Sequence, residues 1–258
     1  MQRRILFGAF FVIFSALLIS QLLISANDYL LNNNNDLLQA RKVKKDPIFI
    51  DGDADFVRQA NRNRWPGSGT LGDPYIIEHD VEIPYTKGKK SSIPPAAISI
   101  SHTTVHFIIR SSTLTNYNGG VDGIVLWNVI NGEISDNFIF NFVNCILLLD
   151  SDKNVISNND LQGYSEVTSV SPASLGIRSK IQGFISRGIF LDPSNHNIIT
   201  DNRISGFTGT GVELLNSSNN LIDGNIIDNN AGENAVFLAG SDANTIINND
   251  ICDFNTIS

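Results

Sequence analysis

Soft metal donors are scarce in this 258-residue chain, which holds one methionine, two cysteines and four histidines. The methionine is the initiator, Met1, so a thioether-rich copper site is excluded. Among the histidines only His102 and His106 stand four apart, and two histidines make half a metal site. Positive charge is also short: 18 Lys and Arg face 26 Asp and Glu, for a formal net charge of −8. That balance argues against nucleic acid as a partner, because binding a polyphosphate needs a surplus of cations. No cofactor fingerprint occurs, so none is expected. Helical periodicity is missing from the C-terminal half, which leaves strands and turns to build it.

What the chain has in abundance is Asn-x-Ile-x-x-Asn-x-Ile. The pattern appears at Asn154–Leu161, Asn197–Ile204, Asn220–Ile227 and Asn244–Ile251, with a fainter copy through Ile134, Asn137 and Ile139. The second Asn steps from 137 to 159, 202, 225 and 249, intervals of 22, 43, 23 and 24 residues, the longest being one period plus an insertion. A fixed period in the low twenties marks a solenoid in which each rung stacks on a copy of itself. Aligned rungs give apolar columns: Ile98, Ile124, Ile146, Ile189, Val212, Ala235; then Ile100, Leu126, Leu148, Leu191, Leu214, Phe237; then Ile134, Ile156, Ile199, Ile222, Ile246; then Leu114, Ile139, Leu161, Ile204, Ile227, Ile251. Positions two apart on a strand share a face, here the interior. The Asn columns are read as structural, because Asn tolerates left-handed corners and its amide both donates and accepts along a stack. Tyr117, Phe142, Tyr164, Phe207 and Phe254 form an aromatic column expected to pack at the next corner.

This pattern resembles the right-handed parallel β-helix repeat family, and within it the NosD-like and carbohydrate-binding and sugar-hydrolase type surface proteins. The resemblance covers roughly residue 48 to the C-terminus and includes the lead-in Trp65-Pro-Gly-Ser-Gly-Thr-Leu-Gly-Asp73-Pro-Tyr75-Ile-Ile-Glu78. It implies an all-β, right-handed, single-stranded parallel β-helix with rungs of about 22–24 residues. Fold alone does not define activity. The Asn-Thr-Asp, Asp-Asp and Gly-His-Gly motifs of polygalacturonase-like relatives do not occur. Asp192-Pro-Ser-Asn-His196 only echoes the Asp-Pro-His-Glu of mannuronan epimerases and reads as a turn. No residue is therefore assigned to catalysis. The resemblance implies a protein that binds carbohydrate or presents a surface; the rival readings are a lyase, hydrolase or epimerase acting on an acidic glycan, and a structural stalk.

The N-terminus places Arg3 and Arg4 ahead of an apolar run from Ile5 to Ile24, a signal peptide or signal anchor over residues 1–26. Residues 27–46 read as a polar tether, and 47–258 as the β-helix with an N-terminal cap at 47–75. The expected location is extracellular or at the cell surface, with the membrane as a partner through the N-terminal segment. Asp55–Asn61 is expected to form a short amphipathic cap helix, and Asp51-Gly-Asp53-Ala-Asp55 a turn with an N-cap rather than a calcium loop. Cys145 and Cys252 lie at least three rungs apart, too far for a disulfide, and both are expected to be packed. A coil end without a cap invites end-to-end self-association.

Candidate ligand-binding residues come from the distribution of positive charge. Nine of the 18 Lys and Arg precede Trp65, and Arg110, Lys153 and Arg203 belong to the regular coil. The other six are Lys87, Lys89 and Lys90 in an insertion at 84–97, and Arg178, Lys180 and Arg187 in one at 165–188. Both insertions leave after the Leu114/Ile139/Leu161 column and rejoin before the Ile98/Ile124/Ile146 column, so they share an edge. A cationic rim on an acidic body suits an anionic polysaccharide. Beside it run strands apolar on both faces, with Val125, Trp127, Leu147, Leu149, Phe190, Leu215, Val236 and Leu238 read as outward. A cover from the 165–188 insertion is the first expectation for that face, a protein partner or another copy of the chain the second, and a sugar platform around Trp127 the third.

Overall fold

A computed structural model describes residues 45–84, 95–117, 120–163, 185–228 and 234–252. Twenty-one short strands among them fall into three parallel sheets of seven strands, and every third strand along the chain joins the same sheet. The chain thus winds as a right-handed parallel β-helix of seven rungs, the expected fold. The first sheet is the widest, because its strands Ala96–Thr103 and Asp122–Val129 are eight residues long. Ile98, Ile124, Ile146 and Ile189 face one another in register, and all four are fully buried. Truncating one such side chain to Ala typically costs about 2–5 kcal/mol.

Corners set the rung's geometry, and two successive residues divide the work. The residue that turns the chain adopts a left-handed conformation: Ser111, Asp136, Asn158, Asp201, Gly224 and Asn248 at one corner, with φ between 50° and 66°. The next residue points its side chain inward. Asn137, Asn159, Asn202 and Asn225 do so in a row, each Nδ2 donating to the Oδ1 of the following Asn at 2.9–3.0 Å. Each also receives the preceding rung's backbone N–H on that Oδ1, as Asn159 Oδ1 does from Asn137. The ladder Asn residues are therefore not themselves left-handed, contrary to the sequence expectation. An αL residue turns its side chain outward, so the amide that must reach the axis sits one place later.

Asn154, Asn197, Asn220 and Asn244 form a second ladder at the next corner. A third went unrecognised in the sequence. Ser151, Ser194 and Ser217 each donate a backbone N–H to the hydroxyl of the next serine, ending on Ser241, at 2.9–3.0 Å. His196 (φ 57°) occupies a left-handed corner between the first- and second-sheet strands of its rung, which agrees with reading its motif as a turn.

In the last rung the register differs from the expected columns by one residue. Val212 faces Val236 and Leu214 faces Leu238, so Val236 and Leu238 point inward and Phe237 outward, not Ala235 and Phe237 inward. One additional residue precedes this strand, and a slip of one exchanges the two faces of a strand.

At the N-terminal end helix α1, Asp53–Asn63, is longer than expected and buries Phe56 and Ala60. Phe56 stacks against Tyr75 at 5.6 Å and lies 5.2 Å from Phe107, so the helix covers the interior of the first rungs. Its N-cap is Gly52 rather than an aspartate, with no side-chain cap bond. The acidic residues work elsewhere: Asp53 accepts from the Thr103 hydroxyl and Thr104 N–H of the next rung. Those bonds hold its carboxyl below the usual carboxylate range.

The connections 84–95, 117–121 and 163–186 each run from a third-sheet strand to a first-sheet strand, and so leave the coil at one corner. Any cover supplied by 165–184 lies outside the described residues, as does the apolar run at 5–24. No helix among the described residues is long and apolar enough to cross a membrane. No disulfide joins the cysteines; Cys145 is buried, but Cys252 is exposed rather than packed. It ends an outward column on the last described strand, where no further described rung covers it.

The ladders yield a graded prediction. Asn202→Ala removes an amide that accepts from Asn159 and donates to Asn225, Ile156 and Thr200. It should cost about 4 kcal/mol, since buried partners are left unsatisfied. Asn249→Ala, in the half-exposed last described rung, should cost less than half as much because water replaces the lost bonds. Urea midpoints followed by circular dichroism at the strand minimum measure both.

Candidate functional site

The outer face of the first sheet carries large side chains that the core does not use. Trp127 is 48% exposed, and Phe49 and Phe237 are 45% and 39% exposed. Phe49 alternates with buried Ile48 and Ile50, Trp127 follows buried Leu126, and Phe237 alternates with the inward Val236 and Leu238, so all three point outward. Trp127 does not stand alone. The His102 ring lies 4.8 Å from it at a tilt of 56°, and His102 Nδ1 bonds Asp51 Oδ1 at 2.7 Å. The Ser101 hydroxyl donates to the same oxygen at 3.0 Å. The His102 bond, then the Ser101 bond, holds the Asp51 carboxyl below its ordinary range, so it is charged at neutral pH. Three successive rungs thus place an aromatic face, an imidazole and a carboxylate side by side on rigid strands. Hydrogen-bonding groups beside a half-exposed indole can grip a polyhydroxylated ring from its apolar face and its edge.

The opposite end of these strands holds a different group. Asp122, Asn144 and Arg187 stand in register on adjacent rungs. Asn144 donates its backbone N–H and Nδ2 to Asp122 Oδ1 at 3.1 and 2.8 Å. Burial pushes the Asp122 carboxyl above its usual range; the Asn144 bonds and the Arg187 charge oppose that without cancelling it. Arg187 bonds Glu213 through Nε and lays its guanidinium 4.8 Å above the Phe190 ring. With side chains 22% and 11% exposed, Arg187 and Glu213 form a largely enclosed pair. A cation so engaged is a clamp on the sheet more than a free ligand for an anion.

Of the seven residues singled out from the sequence, Lys87, Lys89, Lys90, Arg178 and Lys180 lie outside the described residues. The two that remain do not meet. Trp127 is opposite Leu149 and Leu149 opposite Asp192, which puts Arg187 two rungs and five residues away, roughly 19 Å. The Asp51–His102 pair and the Arg187–Glu213 pair went unnoticed in the sequence. Glu213 had a legible signal, as the lone acid in the outward column of Val125, Leu147 and Phe190.

The fold and this face define an all-β right-handed parallel β-helix protein with an aromatic outer surface. The chain belongs to the NosD family, described as periplasmic copper-binding protein (NosD), whose sequence model matches residues 87–257. No curated protein matches the sequence. Three solved chains are similar, two of them as follows. The enzymatically active domain of tailspike protein 2 from bacteriophage CBA120 aligns at 14% identity and a TM-score of 0.36, over 68% of this chain and 27% of its own. Alginate lyase from Paenibacillus sp. str. FPU-7 aligns at 12% identity and a TM-score of 0.39, over 78% of this chain and 98% of its own. The chain therefore spans about a quarter of the tailspike domain's length.

Asp122 gives a pH prediction. Its folded pKa lies above the unfolded value, so the stability it contributes is full below the unfolded pKa and is lost as pH rises through the folded one. Asp122→Asn keeps the acceptor for Asn144 and removes the buried charge. The variant should melt above the parent at pH 7 and level with it near the lower end of the acid range, about pH 3.5. Calorimetry across that range measures the widening gap.

Proposed function

We propose that this is an exported β-helix protein, tethered by its N-terminal apolar run, that holds a carbohydrate chain on the outer face of its first sheet without altering it. The observation that carries this reading is Trp127, half-exposed on a rigid strand and flanked by His102 and the charged Asp51. Export is supported by Arg3 and Arg4 ahead of the apolar run and by the periplasmic description of the family. The widest sheet offers a flat track along which successive sugar rings can lie across successive rungs. An acidic glycan is favoured by the cations that the insertions at 84–97 and 165–188 carry in the sequence.

Copper, named in the family's description, does not fit the donors in this chain. All four histidines and both cysteines lie among the described residues, and no three His, Cys, Asp or Glu side chains there gather as a metal site. His102 is committed to Asp51, and His79 Nε2 bonds the Asp46 carbonyl at 2.7 Å. Burial pushes the Cys145 thiol well above its usual range, so the thiolate a metal needs is disfavoured.

A glycan array probed with the full chain, followed by titration of its best ligand, tests the reading. Trp127→Ala should weaken binding by about tenfold or more, the scale of one lost aromatic stacking contact, and shift the melting temperature little. Absence of binding to any glycan, or an unaffected Trp127→Ala variant, contradicts it. Release of unsaturated uronides from the ligand would instead favour a lyase.

A second reading has its own observation. In the last described rung Ile246 and Ile251 are 42% and 47% exposed, although their columns are fully buried elsewhere. A second copy of the chain packed on this rung would bury them, and self-association is the reading their exposure favours. Sedimentation velocity of the full chain should then show a concentration-dependent dimer; a monomer at every concentration rejects it.

A further inference from the structure

The other end of the coil holds a cavity that the first-sheet reading does not use. It has a volume of about 500 Å³ and lies where the last turn of α1 meets the first two rungs. Its walls bring together Lys45, Arg62, Trp65, Glu78 and Arg110, residues spread over 65 positions of the chain. We infer that this cavity is a binding site for one acidic sugar residue, with Trp65 as the platform and Arg62 and Arg110 as the carboxylate grip.

Three features carry the inference. The first is charge. Three cations and one carboxylate line the cavity, a local surplus of positive charge in a chain of net charge −8. The C-terminal end of a helix opposes an anion, but by only about half a charge. Here the peptide N–H groups of Arg64 and Trp65 and the Asn63 side chain already occupy the carbonyls of Asn61, Ala60 and Gln59. The second is preorganisation. Lys45 Nζ donates to the Glu78 carbonyl at 3.0 Å and Arg110 Nε to Glu78 Oε1 at 3.3 Å, so both cations are fixed before any ligand arrives. Arg110 keeps its two terminal nitrogens for a bidentate carboxylate. Among the described residues Arg62 has no ion pair and stays exposed.

The third is the aromatic wall. Trp65 is half-buried and held edge-on by Phe56 at 6.0 Å and 67°, which anchors the indole to the cap core. His79, also in the wall, is buried and its pKa is lowered, chiefly by that burial, so it stays neutral and holds Asp46 by its ring N–H. A tetrahedral phosphate or sulfate would use the cations and leave the indole idle. A sugar acid uses both, its ring face on Trp65 and its carboxylate across Arg62 and Arg110.

The test is independent of the first-sheet site. The chain has two tryptophans, so in the full chain carrying Trp127→Phe the emission reports Trp65 alone. Trigalacturonate should change that emission saturably, and affinity should fall about tenfold from low to high salt, because the grip is largely exposed. Arg62→Gln should weaken binding about fivefold with an unchanged melting temperature. Glu78→Gln should strengthen it about twofold by removing a repulsive carboxylate, a gain that a misfolded variant would not show. Maltotriose should give no change. The inference is overturned if trigalacturonate gives no saturable change up to about 10 mM, a Kd too weak to matter. It is also overturned if maltotriose binds equally, if inorganic phosphate competes as well as the sugar acid, or if Glu78→Gln weakens binding.

Discussion

Every corner of this coil must dispose of backbone N–H and C=O groups that no strand can pair, and the ladders of buried side-chain amides and hydroxyls do so. A strand of three residues makes too few bonds to persist alone. Asn202 stabilises because its single amide meets the Asn159 backbone, the Asn225 side chain and the Ile156 carbonyl at once. The same contacts recur at the next rung, so each layer templates the one above it. Burial of the isoleucine columns supplies the gross driving force, but those columns would tolerate a slipped register. The polar ladders are what make one register much better than its neighbours.

That division of labour frees the outer surface. The interior fixes inward positions so completely that outward ones are open to any side chain that tolerates a strand. Function can then be written on the outer columns and at the corner where the chain leaves the coil. Trp127 and Asp51 belong to the first kind, and Arg187 with Glu213 stands near the second. The end of the coil is a third place, because the cap helix must break the repeat and so creates a concavity that no regular rung has.

The period, the apolar columns and the positions of the Asn ladders were all legible in the sequence, since each rests on a spacing that repetition amplifies. Three details were not. Which corner residue is left-handed depends on where a side chain points, and Asp201 and Asn202 look alike in sequence although one turns the chain and the other is buried. Serine is common at every turn, so Ser151, Ser194, Ser217 and Ser241 carry no signal until their N–H to Oγ bonds are seen. One inserted residue before Val236 reversed the faces of that strand, because alternation has no error margin. The outer-face pairs and the end cavity were illegible for a different reason. His102 reaches Asp51 across 51 positions, and Arg110 reaches Glu78 across 32, with no motif to announce either.

Native-state hydrogen exchange tests the central claim most directly, because it reads the ladder amides one by one. The backbone N–H groups of Asn159, Asn202 and Ser194 are bonded to side chains of the next rung and not to a strand partner. If the ladders hold the coil together, these amides should exchange only through global unfolding, as slowly as the most protected strand amides of the first sheet. Exchange at the rate of exposed corner amides, with the strands still protected, would mean that the apolar columns alone maintain the rungs.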